Sequence, residues 1–257
     1  MINTNKFLRI AQWNSNGLQN HKEELTIFLK QNYIDILLIT ETHLTYKNYF
    51  RIPSYKLCHT THPDGTAHGG TAILIKESIQ HYELLKYQEE SIEAASIKVR
   101  GFPYEITVAA VYCPPKYNLK KEQFQTFFQT LGPRFIAGGD YNTKHIVWGS
   151  RLTSTKGREL LKVIQEQNYL YLSTGTATYW PTDGNKTPDL LDFFVTKGIS
   201  PGYTDVQSSY YLASDHYPII ATISTSIITR KSTPRLHNLK TNWEPIAKQY
   251  KKERSYQ

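Results

Sequence analysis

Apolar runs broken by short polar clusters dominate the chain. Phe7–Trp13 reads as a first strand, and Ile34–Thr40 as a fully buried one because it is almost continuously apolar. Between them Leu25, Phe28 and Leu29 recur at helical spacing, which predicts an amphipathic helix from about Asn20 to Gln31. Further strands are expected at Thr71–Lys76, Ala94–Val99, Glu105–Cys113, Phe135–Gly138, Leu170–Ser173, Leu190–Thr196 and Tyr217–Ser224. Helical patterns occupy Lys120–Leu131, through Phe124, Phe127, Phe128 and Leu131, and Thr155–Gln167, through Leu160, Leu161 and Ile164. Gln207–Ala213 reads as a loop. Many short strands with few helices and long polar connections predict packed sheets flanked by helices. The strands do not alternate regularly with helices, so a barrel of repeated βα units fits poorly. No internal repeat or low-complexity tract is visible, and residues 1–225 read as one domain. Residues 226–257 contain Pro234 and Pro245, lack a strong apolar rhythm and read as a basic, partly ordered connector.

At 257 residues, with 39% hydrophobic and 13% aromatic content, the chain can bury a large core. No apolar run approaches the roughly 20 residues that span a bilayer, so no membrane association is expected. The polar segment Met1–Lys6 runs straight into a strand, with no secretory signal pattern. Cys58 and Cys113 cannot make a disulfide framework and are expected to be free thiols in a reducing compartment. The net charge of +8 invites a nucleic-acid reading, but its distribution weakens it. Eight basic residues and only two acidic ones lie after Ser224, so the body is close to neutral.

Five apolar runs end in polar clusters: Trp13-Asn14-Ser15-Asn16-Gly17, Thr40-Glu41-Thr42-His43, Gly138-Gly139-Asp140-Tyr141-Asn142, Leu191-Asp192-Phe193 and Ser214-Asp215-His216. Five such junctions suggest one convergent site. A carboxylate such as Glu41 at the end of a buried strand is costly unless paired, solvated or bound to a cation. Asn14 and Asn16 add neutral oxygens, and one or two carboxylates with amide oxygens and water suit Mg²⁺. Asp140 and Asn142 project to one side if their strand continues, a plausible pair for taking a proton from water and orienting it. The single carboxylate of the apolar strand Leu190–Val195, Asp192, demands a partner. His216 supplies one, because a buried aspartate fixes an imidazole tautomer and favours its charged form. Tyr112 can donate its hydroxyl to a phosphate oxygen. Each piece also has an ordinary use: Asn14–Gly17 as a turn, Glu41 as a cap, Asp140–Asn142 as an Asx turn, Tyr112 as a core aromatic. The two cysteines lack metal-ligand spacing and the nine histidines show no paired zinc pattern. No Gly-Lys-Ser/Thr phosphate loop occurs, which argues against nucleoside triphosphate hydrolysis.

With those junctions in order, the chain resembles the endonuclease/exonuclease/phosphatase superfamily. Within it the sequence is similar to the endonuclease domain at the start of the reverse-transcriptase protein of Jockey-type non-LTR retrotransposons. Further residues that carry the likeness are His68-Gly69-Gly70-Thr71, Ala110-Val111-Tyr112-Cys113-Pro114-Pro115, His145, Trp148-Gly149-Ser150 and Thr178-Tyr179-Trp180-Pro181. Together they span about Phe7 to Ile223. The resemblance implies a four-layer α/β sandwich of two packed, mainly antiparallel sheets flanked by helices. It implies a hydrolase cutting DNA with Mg²⁺ (or Mn²⁺), with Glu41 as main metal ligand and Asn14 and Asp215 beside it. Asp140, helped by Asn142, would activate water. Tyr112 and His216 would stabilise the phosphorane, and Asp192 would orient His216. The implied product is a nick with a 3′-hydroxyl, extended on the element's RNA by a polymerase elsewhere in the polyprotein, in the nucleus. No obligate protein partner is implied. Asn16 and Pro115 stand where the DNA-repair branch usually has aspartate and asparagine, which argues against abasic-site activity. Candidate contacts to double-stranded DNA are Asn16, Lys144, Arg151, Tyr179, Trp180 and Lys186, the last near the tip of a hairpin joining Trp180 to Leu190. Two other readings stay open on the residues alone: a phosphatase acting on a small phosphate ester, and a non-catalytic nucleic-acid-binding module.

Overall fold

Alternation along the strands sorts each apolar run into two faces, and that sorting builds the layers. The computed structural model describes residues 7–62, 64–100 and 104–228; most of the expected basic connector lies outside them. In chain order the strands are β1 (Phe7–Asn14), β2 (Ile36–Thr40), β3 (Tyr55–His59), β4 (Thr71–Lys76), β5 (His81–Glu83), β6 (Tyr87–Glu89) and β7 (Ile92–Val99). They continue with β8 (Ile106–Tyr112), β9 (Phe135–Asp140), β10 (Leu170–Leu172), β11 (Asp192–Lys197), β12 (Thr204–Ser208) and β13 (Ile219–Ser224). The α-helices are α1 (Lys22–Gln31), α2 (Lys121–Thr130) and α3 (Thr155–Glu166).

One sheet runs β12-β13-β1-β2-β4-β3 and the other β10-β11-β9-β8-β7-β5, with β6 on β7. Both are mixed: β1–β2 and β8–β9 are parallel and the other pairs antiparallel. The inner faces meet through Ile10, Leu38 and Ile73 from the first sheet and Ile97, Val108, Ile136 and Phe194 from the second. Outside the first sheet, Leu25, Phe28 and Leu29 of α1 cover Trp13, Leu37 and Ile39. Outside the second, Phe124, Phe127 and Phe128 of α2 and Leu160, Val163 and Ile164 of α3 cover Val111, Phe135 and Phe193. Each fully buried phenylalanine contributes about 2–3 kcal/mol of hydrophobic stabilisation. The result is the expected four-layer α/β sandwich.

Three expectations need correcting. Strands β3, β5, β6 and β12 carry no strong apolar signal, because they run along sheet edges where polar side chains meet solvent. The expected loop at 207–213 accordingly begins two residues late, since Gln207 and Ser208 belong to β12. The expected strand start at Tyr217 gives way to Ile219, since Pro218 has no N–H for the ladder. The third concerns Asp140 and Asn142: β9 stops at Asp140, and Asn142 turns into the left-handed region with φ 47°. They meet through a turn and not through strand alternation.

The pair Gly138-Gly139 packs the sheet tightly. A Cβ on Gly139 would sit 1.8 Å from the Val111 carbonyl oxygen on the parallel neighbour β8. No side chain fits there.

Candidate active site

The inner faces of both sheets change from apolar to polar at one end of the sandwich. Leu8 and Ile10 of β1 are followed, at the same parity, by Gln12 and Asn14. Val108 and Ala110 of β8 lead to Tyr112, and Ile136 and Gly138 of β9 to Asp140. In the second sheet, register partners form a row across four strands: Glu93 opposite Tyr112, Tyr112 opposite Asp140, and Asp140 opposite Asp192. Five residues expected at the site are therefore delivered by strand ends: Asn14, Tyr112, Asp140, Asp192 and, just after β2, Glu41.

Hydrogen bonds tie the clusters together. Asn14 Nδ2 donates to Glu41 Oε1 at 2.9 Å and to Asp140 Oδ2 at 3.1 Å. Its Oδ1 accepts from the Asn16 backbone N–H at 3.1 Å, so Asn14 orders the two acids and turns its oxygen away from them. Asn142 holds Asp140 twice, backbone N–H to Oδ1 and Nδ2 to Oδ2, each at 2.9 Å. Asp192 Oδ2 lies 2.7 Å from His216 Nδ1 and accepts from Thr178 Oγ1 at 2.7 Å, while Oδ1 accepts from Gln12 Nε2 at 2.9 Å. Asp140, Asp192 and His216 bring ligand-type atoms within 4.8 Å of one another. His216 is locked from behind: its backbone carbonyl accepts from Trp13 Nε1, and its N–H donates to Ser214 Oγ.

The charges follow from this packing. Burial works against ionised Glu41, but hydrogen bonds from His43, Asn14 and Tyr112, with the charge of His216, outweigh it and lower its pKa. Asp140 goes the other way: complete burial and the neighbouring charge of Asp192 raise its pKa, against the pull of His216. Burial disfavours protonated His216, yet the Asp192 charge and hydrogen bond prevail and raise it to about 10. Burial and the charges of Glu41 and Asp140 push Tyr112 far up, so it stays a hydroxyl donor.

Glu41, Asp140 and Asp192 face one imidazolium, an excess of negative charge that suits a divalent cation. Both oxygens of Asp192 are already engaged, Oδ2 by His216 and Thr178 and Oδ1 by Gln12. Asp215 Oδ1, by contrast, is buried without a hydrogen-bond partner among the described residues. Among the described residues seven non-glycine positions have positive φ, and four belong to this rim: Asn16, Glu41, His43 and Asn142. That concentration of unfavoured backbone is typical of a functional site.

A match to the family model described as "Endonuclease-reverse transcriptase" covers residues 106–220, from β8 through Asp140, Asp192 and His216. The RNA-directed DNA polymerase from mobile element jockey of Drosophila melanogaster is 38% identical over 241 residues, 93% of this chain and 26% of that protein. The chain belongs to the endonuclease/exonuclease/phosphatase superfamily. Among solved structures, the endonuclease domain of TRAS1, a telomere-specific non-LTR retrotransposon, superposes with a TM-score of 0.69 at 23% identity, covering 84% of this chain and 98% of that domain. The AP endonuclease LMAP from Leishmania major gives 0.71 at 15% identity, covering 86% and 89%. These likenesses bear on the fold, a nuclease-type sandwich shared with AP endonucleases. The chain spans about a quarter of the length of the curated relatives it matches.

The expected DNA contacts divide by environment. Asn16, Arg151, Trp180 and Lys186 are exposed. Tyr179 is half-buried with its ring 4.9 Å from that of His216. Lys144 Nζ is 2.9 Å from the buried Asp189 carboxylate, so its charge is already paired. Tyr179 also bridges Asp189, closing the base of the expected hairpin. Trp180 packs on Tyr217, and Tyr217 on Tyr210, an aromatic ledge beside His216. Sequence reasoning passed over Gln12 and Thr178, the two other holders of Asp192. Gln12 was findable as a polar residue inside the apolar run Ile10–Trp13. Thr178 carries no such signal, since threonine is at home in any strand.

Proposed function

We propose that the chain is a metal-dependent DNA endonuclease domain that nicks one strand of double-stranded DNA. The observation that carries this reading is the hydrogen-bonded convergence of Glu41, Asn14 and Asp140 beside the Asp192–His216 pair. A divalent cation held by Glu41 and Asp215 would neutralise phosphate charge and the departing 3′-oxygen; Mg²⁺ suits that oxygen-rich set. Asp140, made more basic by burial and oriented by Asn142 and Asn14, takes the proton from the attacking water. The P–O3′ bond breaks as the new P–O bond forms, leaving a 3′-hydroxyl and a 5′-phosphate. Charged His216 and the Tyr112 hydroxyl donate to the non-bridging oxygens as their charge grows. In the longer polyprotein that 3′-hydroxyl would prime reverse transcription of the element's RNA at nuclear DNA.

Nicking of supercoiled plasmid in Mg²⁺ tests the reading. Open-circular product that chelator abolishes, and that Asp140→Ala and His216→Ala both lose, is expected. Full activity in either variant would sink it. Ligation-ready 3′-hydroxyl ends at the nick would support the priming role, and 3′-phosphate ends would exclude it.

A further inference from the structure

Next to the active site, but not part of it, a second cluster of metal-ligating side chains lies in the segment leading to β4. His62 Nδ1 is 2.8 Å from Asp64 Oδ1, and His68 Nε2 is 3.5 Å from Asp64 Oδ2. The two imidazoles are tilted by 44° with centroids 3.8 Å apart. One ligand-type atom from each of the three residues lies within 4.8 Å of the others. His62 is buried, whereas Asp64 and His68 open to solvent.

The surrounding hydrogen bonds assign the protons. Thr66 Oγ1 donates its one hydrogen to Asp64 Oδ1 at 2.7 Å, so toward His68 Nδ1, its other partner, it can only accept. His68 Nδ1 therefore carries a proton, and in the neutral ring Nε2 turns its lone pair to Asp64. His62 Nε2 faces Glu93 Oε1 at 3.8 Å. That carboxylate is fully buried, its Oε2 accepts from the Gly70 N–H at 2.7 Å, and Oε1 has no hydrogen-bond partner among the described residues. The Asp64 backbone N–H donates to His62 Nδ1 at 3.4 Å, which in the neutral ring places the lone pair on Nδ1 and the proton on Nε2. A ring nitrogen of each imidazole thus lies beside one carboxylate, a concentration of donor atoms that suits a cation. Behind the cluster Thr66 Oγ1 meets His68 Nδ1, and the Glu93 carboxylate lies 3.8 Å from His62 Nε2, outer oxygens of the kind that back metal-bound histidines.

We propose that His62 Nδ1, Asp64 and His68 Nε2 form a second, transition-metal site, with Glu93 and Thr66 as its outer partners. Two imidazoles and one carboxylate, with room for water, suit Zn²⁺ and not Mg²⁺, which takes oxygen ligands. The cation would also offset the buried charge of Glu93 and pin the segment beside the catalytic rim. Gly69 and Gly70, which follow His68, accept from the backbone N–H groups of His43 and Thr42.

The test is zinc content of the 257-residue chain after chelation, reloading with Zn²⁺ and gel filtration in excess Mg²⁺. One retained equivalent is expected in the wild type and in Asp140→Asn, whose substitution disturbs only the catalytic centre. It should vanish in His68→Ala and in Asp64→Asn, both at exposed positions that leave the fold intact by circular dichroism. Glu93→Gln should weaken zinc affinity about 10–100-fold. Co²⁺ loading should give visible absorption bands that His68→Ala removes. A wild type that retains no zinc, loss of zinc in Asp140→Asn, or a full equivalent in His68→Ala or Asp64→Asn would each overturn the site. None of these readouts depends on whether the domain nicks DNA.

Discussion

Asp192 opens β11 of the second sheet and His216 lies in the loop before β13 of the first, yet Asp192 Oδ2 is 2.7 Å from His216 Nδ1. The pair therefore bridges the sandwich, and Gln12, also from the first sheet, holds the second Asp192 oxygen. In Asp192→Asn the imidazole loses both its charge partner and its fixed tautomer. Nicking should fall about 10²–10³-fold, mostly in kcat, with DNA binding measured by fluorescence anisotropy little changed.

The same pair has a pH signature. His216 is raised to about 10 in the fold from an ordinary value of 6.5. The ion pair's contribution to stability is therefore complete below about pH 6.5 and is lost as pH rises through about 10. NMR titration of the metal-free protein should find His216 protonated throughout the neutral range. Asp192→Asn should bring its pKa down, and an unshifted value would mean that Asp192 is not the cause.

Thr178 acts on His216 only through Asp192, as a positioning residue. Thr178→Val removes a donor to Asp192 and the acceptor for the Leu191 and Asp192 N–H groups. A drop of about tenfold in kcat, with KM steady, is expected, and Thr178→Ser should restore activity. Failure of the serine to rescue would point to lost packing.

Lys144 and Lys186 should part company in DNA binding. Lys186→Ala is expected to lower the salt dependence of binding by about one phosphate contact without changing stability. Lys144→Ala strips the buried Asp189 of its ion pair and should cost about 1–3 kcal/mol of stability, read from urea unfolding. Equal salt slopes for both variants would contradict this division.

Gly139→Ala should fail to fold stably. The Cβ contact with the Val111 carbonyl cannot relax without breaking the β8–β9 ladder, so a loss of about 3 kcal/mol or more is expected in thermal unfolding.

The fold was legible in the sequence wherever a strand or helix is buried. β1, β2, β4, β8 and β9, with α1, α2 and α3, announce themselves as apolar runs or helical stripes. The edge strands β3, β5, β6 and β12 did not, because water replaces neighbours on one side and removes the need for apolar residues. Edge strand β10, by contrast, was legible through Leu170 and Leu172. The site was legible in its carboxylates and its histidine, since a charged residue ending a buried run is conspicuous. Its supporting neutral groups were less so: Thr178 and Gln12 gain meaning only once the two sheets are stacked. The role of Asn14 also needed coordinates. Its residue type suggests an oxygen ligand, while the Asn16 N–H rotates the amide so that nitrogen faces the acids.

The row Glu93, Tyr112, Asp140, Asp192 has a further meaning for how such a centre can change. Adjacent members are separated by the strand-to-strand repeat, roughly 4.8 Å, so the sheet itself is the ruler that spaces the chemical groups. A one-residue slip of β9 would turn Asp140 onto the helix-covered face and leave a glycine in its place. Loops around the rim can lengthen or vary, but the ruler permits no intermediate settings. Variation of the rim and spacing of the chemical groups are thereby free to evolve on separate parts of the fold.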